Sequence, residues 1–187
     1  MTTRDSIVNL ADDLIRDKGI NAFSFYDISK SIGIKTSSIH YHFPTKSDLG
    51  VAVIKNQIDK LETIKKESEA KDPVKKLQAL LSIYSRINAD HKICLVGSLA
   101  TDFNTIDTTI KAELKRFSSL MLDWVTEILE EGKSKKVFSY HVPARTKAIL
   151  IITNLLAIVQ LSRLTSSDDF EIVKKAIVKE LTLKPNK

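Results

Sequence analysis

The sequence predicts an all-α fold, and three observations lead to that prediction. Its 187 residues include only 5 glycines and 4 prolines, which leaves little material for turns, sheets or long linkers. Apolar residues recur at spacings of three and four through most of the chain, which is the period of an amphipathic helix. Capping residues divide this pattern into about nine segments. The composition, 43% hydrophobic and 28% charged, is ordinary for a globular chain, so we expect about nine helices in at most two lobes.

Capping signals place the first helices close together in the chain. A helix over residues 3–18 is expected to end at Gly19, because glycine readily adopts the backbone that closes a helix. Ser24 and Asp27 form a capping box, in which each side chain accepts a backbone N–H of the other residue. This box predicts a short second helix over residues 25–32.

Two further signals complete the amino-terminal cluster. Gly33 is expected to end the second helix, and Thr36 to cap a third helix that stops before Pro44, because proline disfavours helical backbone in the preceding residue. Thr45 and Asp48 form a second capping box, which begins a long helix. Three short helices and the start of a fourth are therefore predicted within the first fifty residues.

Longer helices are predicted in the rest of the chain. Asp72 and Pro73 suit the N-cap and first turn of one of them, and Gly132 is expected to end another. Residues 133–141 are expected to form a basic loop. The approximate ranges of these helices are 72–90, 91–101, 107–132, 143–163 and 167 to the end of the chain.

The second and third helices have the pattern of a helix-turn-helix, in which a support helix holds a protruding helix at the angle needed to enter a major groove. The apolar residues expected to pack them together are Ile28, Ile32, Ile34, Ile39 and Phe43. The hydroxyls, imidazoles and phenol that remain are suited to close approach to phosphates and base edges. This expected DNA-reading set is Lys35, Thr36, Ser37, Ser38, His40, Tyr41 and His42.

Charge along this segment also favours a DNA contact. The net charge of the chain is +6, but acids and bases balance over the first fifty residues. No acid occurs between Ile28 and Ser47, so Lys30, Lys35 and Lys46 form a small positive region. Lys46 lies in the first turn of the fourth predicted helix, where backbone N–H groups also favour a phosphate.

The segment resembles the DNA-binding domain of the TetR/AcrR family of bacterial regulators. The residues that carry the resemblance are Asp27-Ile28-Ser29, Gly33-Ile34 and the run from Ile39 to Leu49. The resemblance implies about nine helices, three of them in a DNA-binding lobe and the others in a lobe that binds an effector and forms the dimer. We therefore expect a helix-turn-helix domain over residues 1–48 and an effector-binding and dimerisation domain over residues 49–187.

Residue roles are implied by the same resemblance. Thr36, Ser37 and Ser38 match positions that meet bases and phosphates, Tyr41 and His42 match positions that reach the groove and backbone, and Lys46 matches the phosphate anchor. Two positions depart from the common pattern. The family usually has glycine in place of Ser37 and tyrosine in place of His40.

A homodimer is expected through the last two helices. The stretch from Ala148 to Leu161 is apolar around most of its circumference, so both of its faces need cover. One face would pack within its own lobe and the other against a symmetric copy. A helix buried entirely within one subunit is the alternative. Two recognition helices about 34 Å apart would meet successive faces of a palindromic DNA operator.

The effector site is implied by the family and only weakly indicated by the residues. Side chains on the central helices could line a mostly apolar cavity, with Asp102 or Asn104 as further polar groups, and each could equally be plain core. The expected pocket consists of Tyr84, Asn88, Cys94, Phe103, Phe117, Met121 and Trp124.

Cys94 permits two interpretations. Its segment, HKICLVGSLA, is similar to the cysteine-bearing stretch of electrophile-responsive and acrylate-type members of the family. His91 and Lys92 would favour the thiolate and raise its reactivity. Alternatively, Cys94 packs among Ile93, Leu95 and Val96 as a small hydrophobic residue.

The sequence favours one of three classes of function for this chain: an effector-controlled regulator, an enzyme or an architectural DNA-binding protein. We expect an effector-controlled transcriptional repressor, without cofactor or metal, in the bacterial cytoplasm at the nucleoid, with no membrane partner. An enzyme is not expected, because His40 and His42 diverge on a short helix and no nucleophile or phosphate-loop motif occurs. An architectural DNA-binding protein without an effector remains the third class. A single cysteine and the absence of a secretory pattern in the first residues agree with a reducing compartment.

Overall fold

The computed structural model describes residues 2–182, and those residues form nine α-helices and no strand, as predicted. A 3-10 turn, Ile20–Ala22, lies between the first two helices. The helices are α1 (Thr3–Lys18), α2 (Phe25–Ile32), α3 (Thr36–His42), α4 (Lys46–Ser68), α5 (Pro73–Ala89), α6 (Leu95–Thr101), α7 (Thr108–Ser134), α8 (Ala144–Leu161) and α9 (Ser167–Thr182).

The chain divides into two compact units. The first contains residues up to 60 together with residues 95–118, and the second contains residues 61–94 together with residues from 119 onward. The division therefore falls inside α4 and inside α7. The boundary after residue 48 that the sequence suggested concerns function rather than compactness, and it stays a prediction.

Local hydrogen bonds form most of the predicted caps in the first unit. The backbone N–H of Ser24 donates to Asp27 Oδ2 at 2.7 Å, and Gly33 closes α2 with a left-handed backbone at φ 70°. The backbone N–H of Thr45 donates to Asp48 Oδ2 at 2.9 Å, and that of Asp48 donates to Thr45 Oγ1 at 3.1 Å. Each of these caps was predicted because it depends only on neighbours in sequence.

The predicted cap of α3 was wrong. Lys35 occupies the N-cap position and no side chain caps the helix. Thr36 is the first helical residue, and its hydroxyl donates instead to Ser29 Oγ on α2 at 3.2 Å. The Thr36 hydroxyl, which was predicted to cap α3, therefore joins α3 to α2 instead.

Residues from α6 and the start of α7 are part of the first unit. The Ser98 hydroxyl donates to the carbonyl of Ile15 at 2.6 Å, and Asp102 Oδ2 accepts the backbone N–H of Ile20 at 3.2 Å. Hydrogen bonds from Ser47, Thr109 and Ile110 hold the pKa of Asp107 at about 2. The hydrogen bonds of Ser98 with Ile15, of Ile20 with Asp102 and of Ser47 with Asp107 join residues more than fifty positions apart. They could not be read from helix periodicity.

Helix α6 begins four residues later than predicted. His91 has a left-handed backbone, φ 53°, and residues 91–94 precede the helix. The predicted start at residue 91 was wrong, and Cys94 consequently lies just before α6 and not within it.

In the second unit, α5, α8 and α9 pack on one another. Leu77, Leu80, Leu155 and Phe170 are fully buried among them. The Ser162 hydroxyl, which follows α8, donates to Asn88 Oδ1 on α5 at 2.7 Å. This unit is therefore a helical core with at least one internal polar contact.

Gly132 does not end α7, which continues to Ser134. The glycine is buried, and the ring of Phe138 lies where a side chain would start, 1.9 Å from an ideal Cβ position. Phe138 itself is buried in the loop that follows. Gly132 was predicted to end α7 because glycine has conformational freedom. In the structure its lack of a side chain instead makes room for the Phe138 ring.

Gly132→Ala is expected to lower the free energy of unfolding by about 1 kcal/mol, at fixed protein concentration. Overpacking against Phe138 costs about 1–3 kcal/mol, and alanine recovers up to about 1 kcal/mol of helix propensity. Urea denaturation measures the difference. Ser134→Ala, at the exposed end of the same helix, should change stability by less than about 0.5 kcal/mol. A Gly132→Ala protein as stable as the wild type would show that Phe138 moves away freely.

Candidate nucleic-acid interface

One side of helix α3 is buried in the first unit, and the opposite side is exposed to solvent. Ile39 is completely buried, Phe43 is nearly so, and Ile28 of α2 is buried in the same unit. Lys35, Ser37, His40 and Tyr41 are exposed, whereas Thr36, Ser38 and His42 are partly buried. Six of the seven residues predicted to read DNA therefore lie on one short helix, with Lys35 at its N-cap, and Ile39 and Phe43 bury the apolar side of that helix.

Tyr41 is the most prominent of these side chains. It is a large aromatic residue, and 85% of its surface is exposed. Its ring meets that of His42 edge to face, with centroids 5.1 Å apart. The pair forms a projecting aromatic edge at the end of α3.

His40 has one ring nitrogen engaged. Its Nδ1 lies 3.3 Å from the carbonyl oxygen of Pro44, and its ring meets Phe25 edge to face at 4.9 Å. A carbonyl can only accept, so Nδ1 carries the proton in this contact. Nε2 then accepts hydrogen bonds when the ring is neutral, and donates to a phosphate only when the ring is charged.

Lys46 is anchored within the protein as well as directed to its surface. Its Nζ donates to the carbonyl of Phe23 and lies 4.4 Å from the centroid of the Phe23 ring. Partial burial lowers the pKa of Lys46, and the Asp27 and Asp102 carboxylates partly offset that effect. An ammonium group has three donors, so a phosphate can still be bound while one N–H holds the Phe23 carbonyl.

A groove beside α3 adds residues that the sequence did not single out. It has a volume of about 880 Å³ and is lined by residues of α1, α4 and the α3–α4 junction, including His42, Pro44 and Lys55. The guanidinium of Arg4 lies over the Phe43 ring, 5.2 Å from its centroid. Arg4 was missed because its place beside the junction depends on packing between α1 and Phe43, about forty residues away in sequence.

The seven residues predicted to line an effector pocket are divided between the two units. Phe103 and Phe117 belong to the first unit, and the other five belong to the second. Phe103 is only partly buried, with the ammonium groups of Lys111 and Lys115 5.2 and 5.9 Å from its ring centroid. Tyr84, Cys94, Phe117, Met121 and Trp124 are buried.

Trp124 is the member of this set that contributes to a described cavity. The cavity, about 290 Å³, lies in the second unit and combines Trp124 and Ile128 with a charged rim. Among its rim residues, the Lys76 ammonium pairs with Glu131 Oε2 at 2.7 Å. Most residues that line this cavity are charged, so it differs from the mostly apolar pockets that bind small molecules.

Cys94 is buried, with 6% of its surface exposed. Burial raises the pKa of Tyr84 above its usual range, and the proximity of Cys94 adds to the increase. A buried thiol reacts slowly with solutes in water. The packing interpretation of Cys94 is therefore the one that its surroundings favour.

Two structural features bear on other classes of function. Among residues 2–182, no group of three or more His, Cys, Asp or Glu side chains is placed to hold a metal ion. Helix α8 has 18 residues and is apolar enough by length and composition to cross a membrane, a criterion that core helices of soluble proteins also meet. This helix begins four residues before the apolar stretch that the sequence analysis identified at residues 148–161.

A family model and two crystal structures relate this chain to the same family of bacterial regulators. Residues 7–53 match the family model described as bacterial regulatory proteins, tetR family. A TetR transcriptional regulator from Legionella pneumophila has a crystal structure that superposes with a TM-score of 0.87 at 33% identity, over 97% of this chain and 98% of the other. A TetR-family regulator from Agrobacterium tumefaciens superposes with a TM-score of 0.88 at 27% identity, over 96% and 97% of the two chains.

Similarity in sequence extends to a named repressor. The chain is 27% identical to the HTH-type transcriptional repressor KstR2 of Mycolicibacterium smegmatis over 139 residues. The match covers 69% of this chain and 64% of that repressor. These similar proteins are described as regulators of transcription and not as enzymes.

Proposed function

This chain is a member of the TetR family of bacterial regulatory proteins, a DNA-binding regulator of transcription, and on that premise we propose how it works. It represses transcription as a homodimer on a palindromic operator in the bacterial cytoplasm, and it leaves the operator when a small molecule binds in its second compact unit. The observation that carries the proposal is the exposed edge of α3, with Tyr41 85% exposed above a fully buried Ile39.

Contacts with DNA are assigned to the exposed side of α3 and its neighbours. Ser37 and Tyr41 would reach base edges, and Lys46 would hold a phosphate while its contact with Phe23 fixes its position. Arg4 is added to the set as a second phosphate contact, because its guanidinium lies beside the α3–α4 junction. His40 is assigned to a phosphate of the DNA backbone, and it makes this contact only when its ring is charged.

Support for the dimer comes from the open face of α8. Ile149, Leu150 and Leu161 are each between 43% and 50% exposed, and Leu164, just beyond the helix, is 85% exposed. Large apolar side chains exposed along one side of a helix favour a partner surface, although Thr153, Asn154 and Gln160 are exposed among them. A second copy of the chain would bury it around a two-fold axis, with Ile172 of α9 at its margin.

The effector is proposed to bind among the five predicted residues of the second unit, Tyr84, Asn88, Cys94, Met121 and Trp124. If the protein has two states that differ in DNA affinity, an effector that prefers the state of low DNA affinity is sufficient to release the protein from DNA. The coupling is reciprocal, so DNA must weaken effector binding by the same factor. If Cys94 were instead an electrophile sensor, alkylation of Cys94 would change operator affinity. Unchanged affinity with Cys94 modified would remove that alternative.

A footprint of the purified protein on DNA upstream of its own gene tests the proposal. We expect protection confined to a palindrome, and loss of protection with a candidate small molecule. Protection spread along the fragment without preference would favour an architectural DNA-binding protein. Full occupancy with every molecule in a broad metabolite set would argue against effector control.

Lys46→Gln is expected to weaken binding to all DNA sequences by a similar factor and to reduce the salt dependence of binding. Each lost phosphate contact lowers the slope of log K against log salt by about 0.9, so a dimer should lose about 2. Glutamine keeps a donor for the Phe23 carbonyl, which makes it a cleaner test than Lys46→Ala. Fluorescence anisotropy over a salt series measures the slope.

The control for this series is Lys18→Gln, an exposed lysine at the end of α1. Its removal changes net charge equally but should leave the slope nearly unchanged. Equal slopes for Lys46→Gln and Lys18→Gln would show that Lys46 makes no phosphate contact.

A further inference from the structure

A second groove lies between α5 and α9, both of which belong to the second unit. It has a volume of about 560 Å³, within the range of about 300–1,000 Å³ that small ligands occupy. Leu81, which is buried, and Val178, which is partly buried, provide its apolar surface. Its lining runs along α9 from Lys174 to Thr182, a helical length of about 12 Å.

The charged residues that line this groove are all basic. Lys174, Lys175 and Lys179 line it, and no carboxylate does. The ammonium of Lys174 is held by Glu171 Oε1 at 2.5 Å and by the Ser85 hydroxyl at 3.1 Å. Lys175 and Lys179 are exposed and form no ion pair with any residue in the range 2–182. The unneutralised charge is therefore concentrated on these two lysines.

Lys175 and Lys179 are four residues apart on one helix, so they are neighbours on its surface. Like charges at this spacing repel and destabilise a helix slightly. An anion placed between them removes that repulsion. The lysines therefore favour a negatively charged group at one side of an otherwise apolar groove.

We propose that the α5–α9 groove binds an amphipathic monoanion, namely a medium-chain alkyl carboxylate. The alkyl chain lies on Leu81 and Val178, and the carboxylate lies between the ammonium groups of Lys175 and Lys179. A groove of about 12 Å along the helix accommodates a chain of about eight to ten carbons. This site is separate from the five residues assigned to the effector.

A second copy of the chain is a less suitable occupant. The exposed apolar residues proposed for the dimer are Ile149, Leu150 and Leu161 on α8, with Ile172 on α9, and none of them lines the groove. A partner surface facing three lysines would also have to be acidic. The charge pattern is matched more directly by a small anion with an apolar tail.

Calorimetric titration of the whole chain with decanoate tests the site. Decanol provides the same chain without charge, and butyrate the charge without the chain. We expect decanoate to bind more tightly than either compound. In Lys175→Gln/Lys179→Gln, decanoate affinity should fall at least about fivefold, as two exposed charge contacts allow, and decanol affinity should stay the same.

Two further variants test whether decanoate binds in this groove. Lys71→Gln/Lys136→Gln removes the same charge from exposed lysines elsewhere and should leave decanoate affinity unchanged. Ser82→Phe places a ring at the exposed rim of the groove and should weaken decanoate and decanol alike. Circular dichroism and an unchanged urea-denaturation midpoint would establish that each variant is folded.

The proposal is overturned by any of four results. These are no decanoate binding below millimolar concentration, equal losses in the two lysine pairs, full decanoate affinity in Ser82→Phe, and loss of the dimer in Lys175→Gln/Lys179→Gln. The last result would identify a second copy of the chain as the occupant. Because the measurement uses no DNA, its outcome is independent of repression and of the proposed effector.

Discussion

Leu150→Asp combined with Leu161→Asp is expected to convert the homodimer into a monomer and to weaken operator binding at least about a hundredfold. The two residues are eleven positions apart, three helical turns, so they lie on the same face of α8. Both are about half exposed. Burial of a leucine in an interface is worth about 1.5–3 kcal/mol, and an unpaired buried carboxylate adds a further penalty.

The loss of DNA affinity follows from the geometry of a palindrome. A dimer joins two half-sites, so the second recognition helix binds at a high effective concentration, whereas a monomer must bind each half-site alone. Light scattering gives the mass in solution, and fluorescence anisotropy on the footprinted operator gives the affinity.

Ala112→Asp with Ser119→Asp is the matched control for this pair. Both residues are exposed, lie seven positions apart on α7, and gain the same two charges per chain. This protein should remain a dimer. A dimeric Leu150→Asp/Leu161→Asp protein would place the dimer contact elsewhere, and the α8 face would then need another partner.

Tyr41→Ala is expected to reduce operator affinity by about tenfold to a hundredfold without affecting stability or the dimer. Losses of this size accompany removal of one specific base contact per half-site. Tyr41 is 85% exposed, so little buried surface is lost with its ring. Its edge contact with His42 is the one aromatic contact that the substitution removes among the described residues.

Tyr26→Ala provides the control for the aromatic ring itself. Tyr26 is 65% exposed on α2, in the same unit but outside the predicted reading surface. Affinity for the selected operator and for a scrambled duplex should be measured for both variants at one salt concentration. Tyr41→Ala should lose mainly the preference for the operator, and equal losses in the two variants would contradict a specific role for Tyr41.

Cap chemistry is the part of the fold that was predicted most accurately. The boxes at Ser24–Asp27 and Thr45–Asp48 formed as expected, and α1, α2 and α9 began within a residue of the expected position. These features depend on hydrogen bonds between residues three or four apart. Two boundaries were incorrect: Gly132 lies against the Phe138 ring inside α7, and His91 has a left-handed backbone before α6.

The chemistry of the candidate interface was predicted less completely than its location. The spacing of apolar residues identified α3 and its exposed side, because Ile39 and Phe43 can be buried only in that orientation. It could not indicate that His40 meets the Pro44 carbonyl or that Lys46 holds the Phe23 carbonyl. Both contacts depend on how the chain turns after α3.

The sequence by itself determined the helical class, most helix limits and the DNA-binding motif, because periodicity and capping are properties of residues within one turn of each other. Tertiary structure alone decided which side chains are brought together over long separations. Arg4 reaches Phe43, Ser98 reaches the carbonyl of Ile15, and Lys175 joins Leu81 in one groove. Contacts of this kind are set by the packing of whole helices, which a local pattern does not encode.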